Sequence, residues 1–138
     1  MMKKYLKETA KFLLRCYPVI RPYIKRVDAM YEMSNEELMN RNEKRFLYIF
    51  RRAYDKSPFY YRLYTEAGIK KEDIKCLEDI KKLPVITKDM VKKYAQEMLT
   101  VPKWQVMVGH TSGTTGTPLT VYSSWPSVWF NQAYTYSA

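Results

Sequence analysis

The segment Val106-Met-Val-Gly-His-Thr-Ser-Gly-Thr-Thr-Gly-Thr-Pro-Leu-Thr-Val-Tyr122 places a polar, glycine-containing loop between two apolar stretches. The flanks, residues 106–108 and 119–122, are rich in β-prone residues and predict two strands joined by the loop. Gly113 and Gly116 have no Cβ, so the backbone there can turn through positive φ and come close to an anion. Successive N–H groups of such a loop can converge on phosphate oxygens.

The hydroxyl groups of the loop add uncharged hydrogen-bond donors to these backbone groups. Ser112, Thr114 and Thr115 are the strongest candidates, and Thr111 and Thr117 come next. Pro118 stiffens the exit of the loop and has no N–H to satisfy. The predicted phosphate-binding residues are therefore Thr111, Ser112, Gly113, Thr114, Thr115, Gly116 and Thr117.

Other interpretations of the loop fit the sequence less well. A Walker A loop needs a lysine that is not in register here, and a dinucleotide fingerprint needs a glycine where Thr111 stands. A hydrolase nucleophile elbow around Ser112 would need a glycine where His110 stands. By composition alone, however, a plain hairpin turn rich in Gly and Thr fits the loop at least as well.

The order Ser112-Gly-Thr-Thr-Gly-Thr-Pro118 resembles the phosphate-binding loop of adenylate-forming enzymes, which include acyl- and aryl-CoA ligases. Upstream, residues 57–64 and 77–88 are similar to the N-terminal region of phenylacetate–CoA ligases and of related proteins from capsular polysaccharide gene clusters. The resemblance covers about residues 41–138. Phenylacetate ligases usually carry a lysine at the position of Thr117, and many adenylating enzymes carry one at the position of Leu119. Thr117 is the better match to the capsule-associated branch.

This resemblance implies a reaction for the full-length parent protein. A small-molecule carboxylate would attack the α-phosphorus of ATP, and coenzyme A would usually accept the acyl group. The loop would hold the β- and γ-phosphates, with Mg²⁺ sharing the charge. In the family, the magnesium ligand, the ribose-binding aspartate and the catalytic lysine lie further along the chain. The 138 residues are therefore expected to be an N-terminal fragment that has no catalytic residue of its own and is inactive alone.

Composition places the chain among cytoplasmic globular proteins. Hydrophobic residues make up 46% of it, which is too many for a disordered chain. Cys16 and Cys76 lie far apart and do not suggest a disulfide framework. His110 is the only histidine, so no metal site is expected from the Cys and His residues.

Positive charge is concentrated near the N-terminus. Residues 1–27 hold eight Lys and Arg residues against Glu8 alone, within a chain of net charge +10. Apolar residues at spacings of three and four predict a basic amphipathic helix there. A solvated face of a packed helix is favoured over weak contact with an anionic membrane surface. The rest of the chain shows no nucleic-acid-binding module. A non-catalytic truncated product and a peripheral membrane protein are the alternative functions.

The predicted fold class is α/β, and α+β within these residues: a mostly helical N-terminal part, then strand, phosphate loop, strand and a final helix. The predicted domains are a basic helical segment, residues 1–33, and the incomplete start of an AMP-binding domain, residues 34–138. Ser34 and Glu37 form a capping-box pattern for a helix that continues to about Lys56, before Pro58. Its expected core positions are Leu38, Phe46, Ile49, Phe50 and Ala53.

Local signals define the remaining elements. Phe59 and Leu63 are expected in the core, whereas Tyr60, Tyr61 and Tyr64 are expected to be partly exposed. Gly68 is expected to end a short helix at the C′ position. Thr87 is the expected N-cap of a helix that continues to about Met98, and Ser124 of the last helix. Trp125, Val128, Trp129 and Phe130 are expected to form an exposed apolar patch.

Overall fold

The computed structural model describes the backbone of residues 2–111 and 118–137 and the side chains of residues 17–111 and 118–136. The helices are α1 (Met2–Tyr31), α2 (Asn35–Lys56), α3 (Pro58–Glu66), α4 (Lys88–Tyr94) and α5 (Trp125–Ser137). Three short 3₁₀ segments lie at Lys71–Asp73, Leu77–Lys82 and Lys103–Gln105. The strands β1 (Val106–His110) and β2 (Thr120–Ser124) pair as an antiparallel ribbon. This mostly helical arrangement with one two-stranded sheet agrees with the predicted α+β class.

Residues 35–124 form one compact unit, and residues 1–34 form a second together with residues 125–138. These units are defined by contacts within the chain. The predicted domains, residues 1–33 and 34–138, remain a prediction. Among the described residues, no helix carries an apolar run long enough to cross a membrane.

The core of the 35–124 unit is aromatic and lies where α2 and α3 meet. Phe50, Tyr64, Ile69 and Ile74 are buried and pack together. The ring centroids of Phe50 and Tyr64 are 5.2 Å apart, which is within the usual range for attractive aromatic pairs. Burial raises the pKa of Tyr64 to about 12, and the nearby Tyr60 adds to the effect.

Two predictions about this core were wrong. Ile49, expected in the core, is 51% exposed, whereas Tyr64, expected to be partly exposed, is only 6% exposed. The buried arc of α2 is centred near Phe50 and includes the partly buried Leu47 and Tyr54. Ile49 therefore lies at the edge of that arc. Tyr64 is covered because α3 packs its aromatic face against α2.

The helix caps follow the sequence closely. Ser57 is the N-cap of α3, and its Oγ accepts a hydrogen bond from the N–H of Tyr60 at 3.3 Å. Gly68 follows the C-cap Ala67 and has φ +71°, as expected for the C′ position. Thr87 caps α4 by accepting from the N–H of Met90 at 3.2 Å.

Helix α4 ends at Tyr94, four residues before the predicted end at Met98. The chain continues as turns in which the N–H of Met98 donates to the carbonyl of Tyr94. The carbonyl of Glu97 instead accepts from the N–H of Phe59 at 3.2 Å and from Ser57 Oγ at 2.7 Å. These tertiary hydrogen bonds hold the turn after α4 against the start of α3.

In the other unit, α1 packs against α5. Ile20 and Val27 of α1 are buried with Ala133 of α5, and Trp129 and Phe130 pack against them. The predicted exposed patch is thus wrong for Trp129 and Phe130, because α1 covers that face of α5. Trp125 is 48% exposed, as expected. The predicted N-terminal helix is confirmed, and Arg21, Lys25 and Arg26 are exposed on it.

Candidate phosphate-binding site

The ribbon of β1 and β2 holds the two ends of the predicted loop together. The N–H of Thr111 donates to the carbonyl of Leu119 at 3.0 Å, and the N–H of Leu119 donates to Thr111 Oγ1 at 3.0 Å. These two hydrogen bonds close a neck at the base of the loop. Ser112, Gly113, Thr114, Thr115, Gly116 and Thr117 lie outside the described residues, so their predicted role is not tested by the structure.

Thr111 has a second role that its sequence position did not suggest. Its hydroxyl oxygen accepts the N–H of Leu119, so the side chain helps to fix the loop neck. A hydroxyl that accepts one hydrogen bond can still donate its own proton. The exposed Thr111 can therefore act as the predicted phosphate donor while it fixes the neck.

The ribbon register places polar groups together on one face beside the neck. His110 lies opposite Thr120, and Val108 lies opposite Tyr122. Residues that lie directly opposite in an antiparallel pair project to the same side, as do residues two apart in one strand. His110 Nδ1 and Thr120 Oγ1 are 3.4 Å apart. Nearest the neck, this face therefore presents the imidazole of His110 and the hydroxyl of Thr120, with the hydroxyl of Tyr122 two residues further along β2.

A cleft of about 420 Å³ lies between the end of α4 and this strand. The end of α4 and the turn after it contribute six lining residues, and β2 contributes two. The lining residues are Lys92, Lys93, Tyr94, Ala95, Gln96, Glu97, Thr120 and Tyr122. Because Thr120 directly follows Leu119, the cleft lies next to the loop neck.

The charges that line the cleft are unbalanced. The Glu97 carboxylate is paired with Arg62 at 3.0 Å, so its charge is largely neutralised. Lys93 Nζ lies 5.0 Å from the centroid of the Tyr94 ring, close enough for a cation–π contact. Within residues 17–111 and 118–136, neither Lys92 nor Lys93 forms an ion pair with a carboxylate. The cleft therefore has a positive rim.

Four residues that line the cleft were not predicted from the sequence as site residues: Lys92, Lys93, Thr120 and Tyr122. The adjacent lysines in the last turn of α4 are also typical of an ordinary helix C-terminus, where cations are favourable. Only the packing of α4 near β2 brings them to the cleft beside the loop neck. No local signal in the sequence reports that contact.

A second basic groove, of about 430 Å³, follows one side of α2. It is lined by Lys44, Leu47, Tyr48, Arg51, Arg52, Asp55 and Lys56. Arg52 is held by Thr100, to whose Oγ1 its Nε donates at 3.2 Å, and Asp55 pairs with Lys71. This groove includes no residue of the ribbon that holds the loop.

The chain is similar in sequence to several phenylacetate–coenzyme A ligases. It is 35% identical over 97 residues to that of Pseudomonas putida, which covers 69% of this chain and 22% of the relative. It is 34% identical over 98 residues to the Escherichia coli K12 ligase, with 70% and 22% covered. It is 34% identical over 91 residues to the Thermus thermophilus ligase, with 64% and 20% covered. No protein-family model matches the chain.

These similarities support a relationship between about 70% of the chain and adenylate-forming ligases of the phenylacetate–CoA ligase type. The chain spans about a fifth of the length of the relatives that it matches.

Proposed function

We propose that these residues form the phosphate-holding part of an ATP-dependent, carboxylate-activating enzyme of the CoA-ligase type. The observation that carries the proposal is the closed neck between Thr111 and Leu119. This neck supports a loop of glycines and hydroxyls on a two-stranded ribbon. The names of the matched relatives support the reaction class.

In the proposed reaction, a carboxylate oxygen of the substrate attacks the α-phosphorus of ATP. The bond between the α-phosphorus and the bridging oxygen breaks, and that oxygen leaves with pyrophosphate. The product is an acyl-adenylate. The thiol sulfur of coenzyme A then attacks the acyl carbonyl, loses its proton, and displaces AMP to give a thioester.

The residues of this chain would act on the leaving group. Negative charge builds on the pyrophosphate as the bond breaks, and prearranged donors stabilise that charge. The N–H groups and hydroxyls of residues 111–117 would supply those donors. Gly113 and Gly116 would allow the backbone to approach the phosphates. Fixing the neck would reduce the entropy that the loop loses on binding.

Further assignments belong to the same proposal. The substrate would be a small carboxylic acid, with an aryl acid suggested by the names of the relatives. Mg²⁺ would accompany ATP and offset the charge of its phosphates. Among the described residues, no cluster of three or more metal-ligating side chains is present, and we assign none to it. We place the enzyme in the cytoplasm, where ATP and coenzyme A are available.

The branch of the family is a finer proposal. Thr117 and Leu119 stand where related enzymes carry lysines, and the resemblance at Thr117 favours the capsule-associated proteins. We therefore propose a role in capsular or surface polysaccharide synthesis. Growth with and without the gene, followed by quantification of surface polysaccharide, tests this role separately from the chemistry.

Weak contact with an anionic membrane through residues 1–27 is a second proposal. Arg21, Lys25 and Arg26 are exposed on α1, whereas Ile20 and Val27 are buried against α5. The contact would therefore be electrostatic. We expect co-sedimentation with phosphatidylserine vesicles at low salt, lost at high salt. Equal sedimentation with neutral vesicles would contradict it.

Carboxylate-dependent exchange of labelled pyrophosphate into ATP tests the main proposal. We expect exchange with phenylacetate or another aryl acid in the product of the complete reading frame, and none with the 138-residue chain alone. Omitting the carboxylate is the control. Absence of exchange across a panel of aryl and alkyl acids in the complete product would contradict the proposal.

A further inference from the structure

We infer that the cleft between the end of α4 and β2 is a binding subsite for phosphate groups, with Lys92 and Lys93 as its cationic residues. The identity of the phosphate donor rests on the proposed function. The phosphates would be the polyphosphate chain of ATP or the phosphates of coenzyme A. The site itself is argued from the arrangement of the charges and hydroxyls.

The rim of the cleft carries two positive charges. Lys92 and Lys93 are exposed on the rim of a concave surface. The nearest carboxylate in the lining, Glu97, is held by Arg62 at 3.0 Å. Two adjacent ammonium groups without a carboxylate partner attract a multivalent anion more strongly than a single charge does.

The cleft lies next to the loop neck. Thr120 and Tyr122 contribute its strand wall, and Thr120 follows directly on Leu119 at the loop neck. His110 shares this face and lies 3.4 Å from Thr120 Oγ1. The two lysines therefore line the same cleft as strand residues that adjoin the loop neck.

The loop itself supplies no positively charged side chain. Residues 111–119 contain no Lys or Arg, so their donors carry no formal positive charge. Hydrogen bonds from charged donors to phosphate are about twice as strong as neutral ones. Lys92 and Lys93 would supply this charge from α4, outside the loop sequence.

Titration calorimetry on the 138-residue chain tests the subsite. The probes are inorganic pyrophosphate, ATP and adenosine 3′,5′-bisphosphate, which represents the phosphate-bearing end of coenzyme A. We expect Lys92→Gln/Lys93→Gln to weaken the preferred probe by about tenfold per lysine. Lys92→Arg/Lys93→Arg should restore most of the affinity. The preferred probe identifies the source of the phosphate.

The control is Arg51→Gln/Lys56→Gln, which also removes two positive charges, but from the groove on α2. We expect it to leave the affinity almost unchanged, and circular dichroism verifies the fold of each variant. Unchanged affinity in the Lys92/Lys93 variant, equal losses in both variants, or no binding of any probe would overturn the inference. Binding of these probes needs no carboxylic acid substrate. A complete product without pyrophosphate exchange would therefore contradict the proposed reaction but not the phosphate subsite.

Discussion

At the scale of single residues, Ser57 joins three segments through one buried hydroxyl. Its Oγ donates to the carbonyl of Glu97 at 2.7 Å and accepts from the N–H of Tyr60 at 3.3 Å. The residue is only 1% exposed, so water cannot replace either partner. Thr87 caps α4 in a similar way but is exposed.

Comparison of these two caps gives a prediction. Ser57→Ala should lower the free energy of unfolding by about 2–3 kcal/mol, because it removes the cap of α3 and one of the two donors to the carbonyl of Glu97 at a buried position. Thr87→Ala should cost about 1 kcal/mol. Urea denaturation measures both values. A loss for Ser57→Ala no larger than that for Thr87→Ala would contradict the role of burial.

Gly68 gives a second prediction at this scale. Its φ of +71° is unfavourable for residues with a Cβ, although a Cβ there would meet no atom within 4 Å. Gly68→Ala should therefore cost about 1–2 kcal/mol through backbone strain alone. Gly109→Ala is the control, because its Cβ would make an ordinary contact at 4.0 Å with the carbonyl of Val121. Equal stability of the Gly68→Ala variant and the unchanged chain would contradict the argument.

At the scale of elements, Asp79 organises the 3₁₀ segment Leu77–Lys82. Its Oδ2 accepts from the backbone N–H groups of Lys75 at 2.7 Å and Cys76 at 3.2 Å, and Lys82 Nζ lies 2.7 Å from Oδ1. The Lys82 contact, followed by the two N–H groups, holds the pKa of Asp79 well below its usual range. The ionised carboxylate therefore stabilises the folded state.

The lowered pKa of Asp79 sets how the stability of the fold depends on pH. The contribution should be fully present above the ordinary aspartate pKa and should fade as the pH falls toward the lower pKa of the folded state. We expect Asp79→Asn to lower the urea midpoint at pH 7 and to differ much less from the unchanged chain at pH 2. Glu66→Gln, an exposed carboxylate of α3, is the control. A difference that does not change between pH 7 and pH 2 would contradict this role of Asp79.

The elements also show what the sequence could predict. Gly68 and Thr87 marked helix ends correctly, because capping depends on a few neighbouring residues. The predicted exposures of Ile49 and Tyr64 were both wrong, because the part of a helix that is covered depends on the helix that packs against it. The end of α4 at Tyr94 was also missed, and the turn that follows it is held by a hydrogen bond from the distant Ser57 to the carbonyl of Glu97.

At the scale of the whole chain, the candidate site was only partly predictable. A phosphate-binding loop could be predicted because its glycines and hydroxyls are contiguous in residues 111–117. Lys92 and Lys93 were missed, since they lie far from the loop in sequence and share a cleft with Thr120 and Tyr122 only through the packing of α4 near β2.

The α1–α5 unit gives a prediction about the chain as a folded molecule. Ile20 is only 2% exposed and packs with Val27 and Ala133. Ile20→Ala should destabilise this unit by about 2–5 kcal/mol, because it leaves a cavity. Val19→Ala is the control, as Val19 is 45% exposed. Hydrogen exchange should show faster exchange in residues 17–31 and 125–137 for Ile20→Ala alone. Equal exchange in both variants would contradict the packing.

The central claim, that residues 111–117 hold the phosphates of ATP, is tested most directly by pyrophosphate exchange in glycine variants of the complete reading-frame product. Gly113→Val and Gly116→Val should each lower exchange by about a hundredfold or more, because a β-branched residue disfavours positive φ and blocks close approach of phosphate. Thr114→Ala and Thr115→Ala should cost less, about 1–3 kcal/mol of transition-state stabilisation each. Gly109→Ala, in β1, should leave exchange nearly unchanged. Normal exchange in both the Gly113→Val and the Gly116→Val variants would contradict the claim.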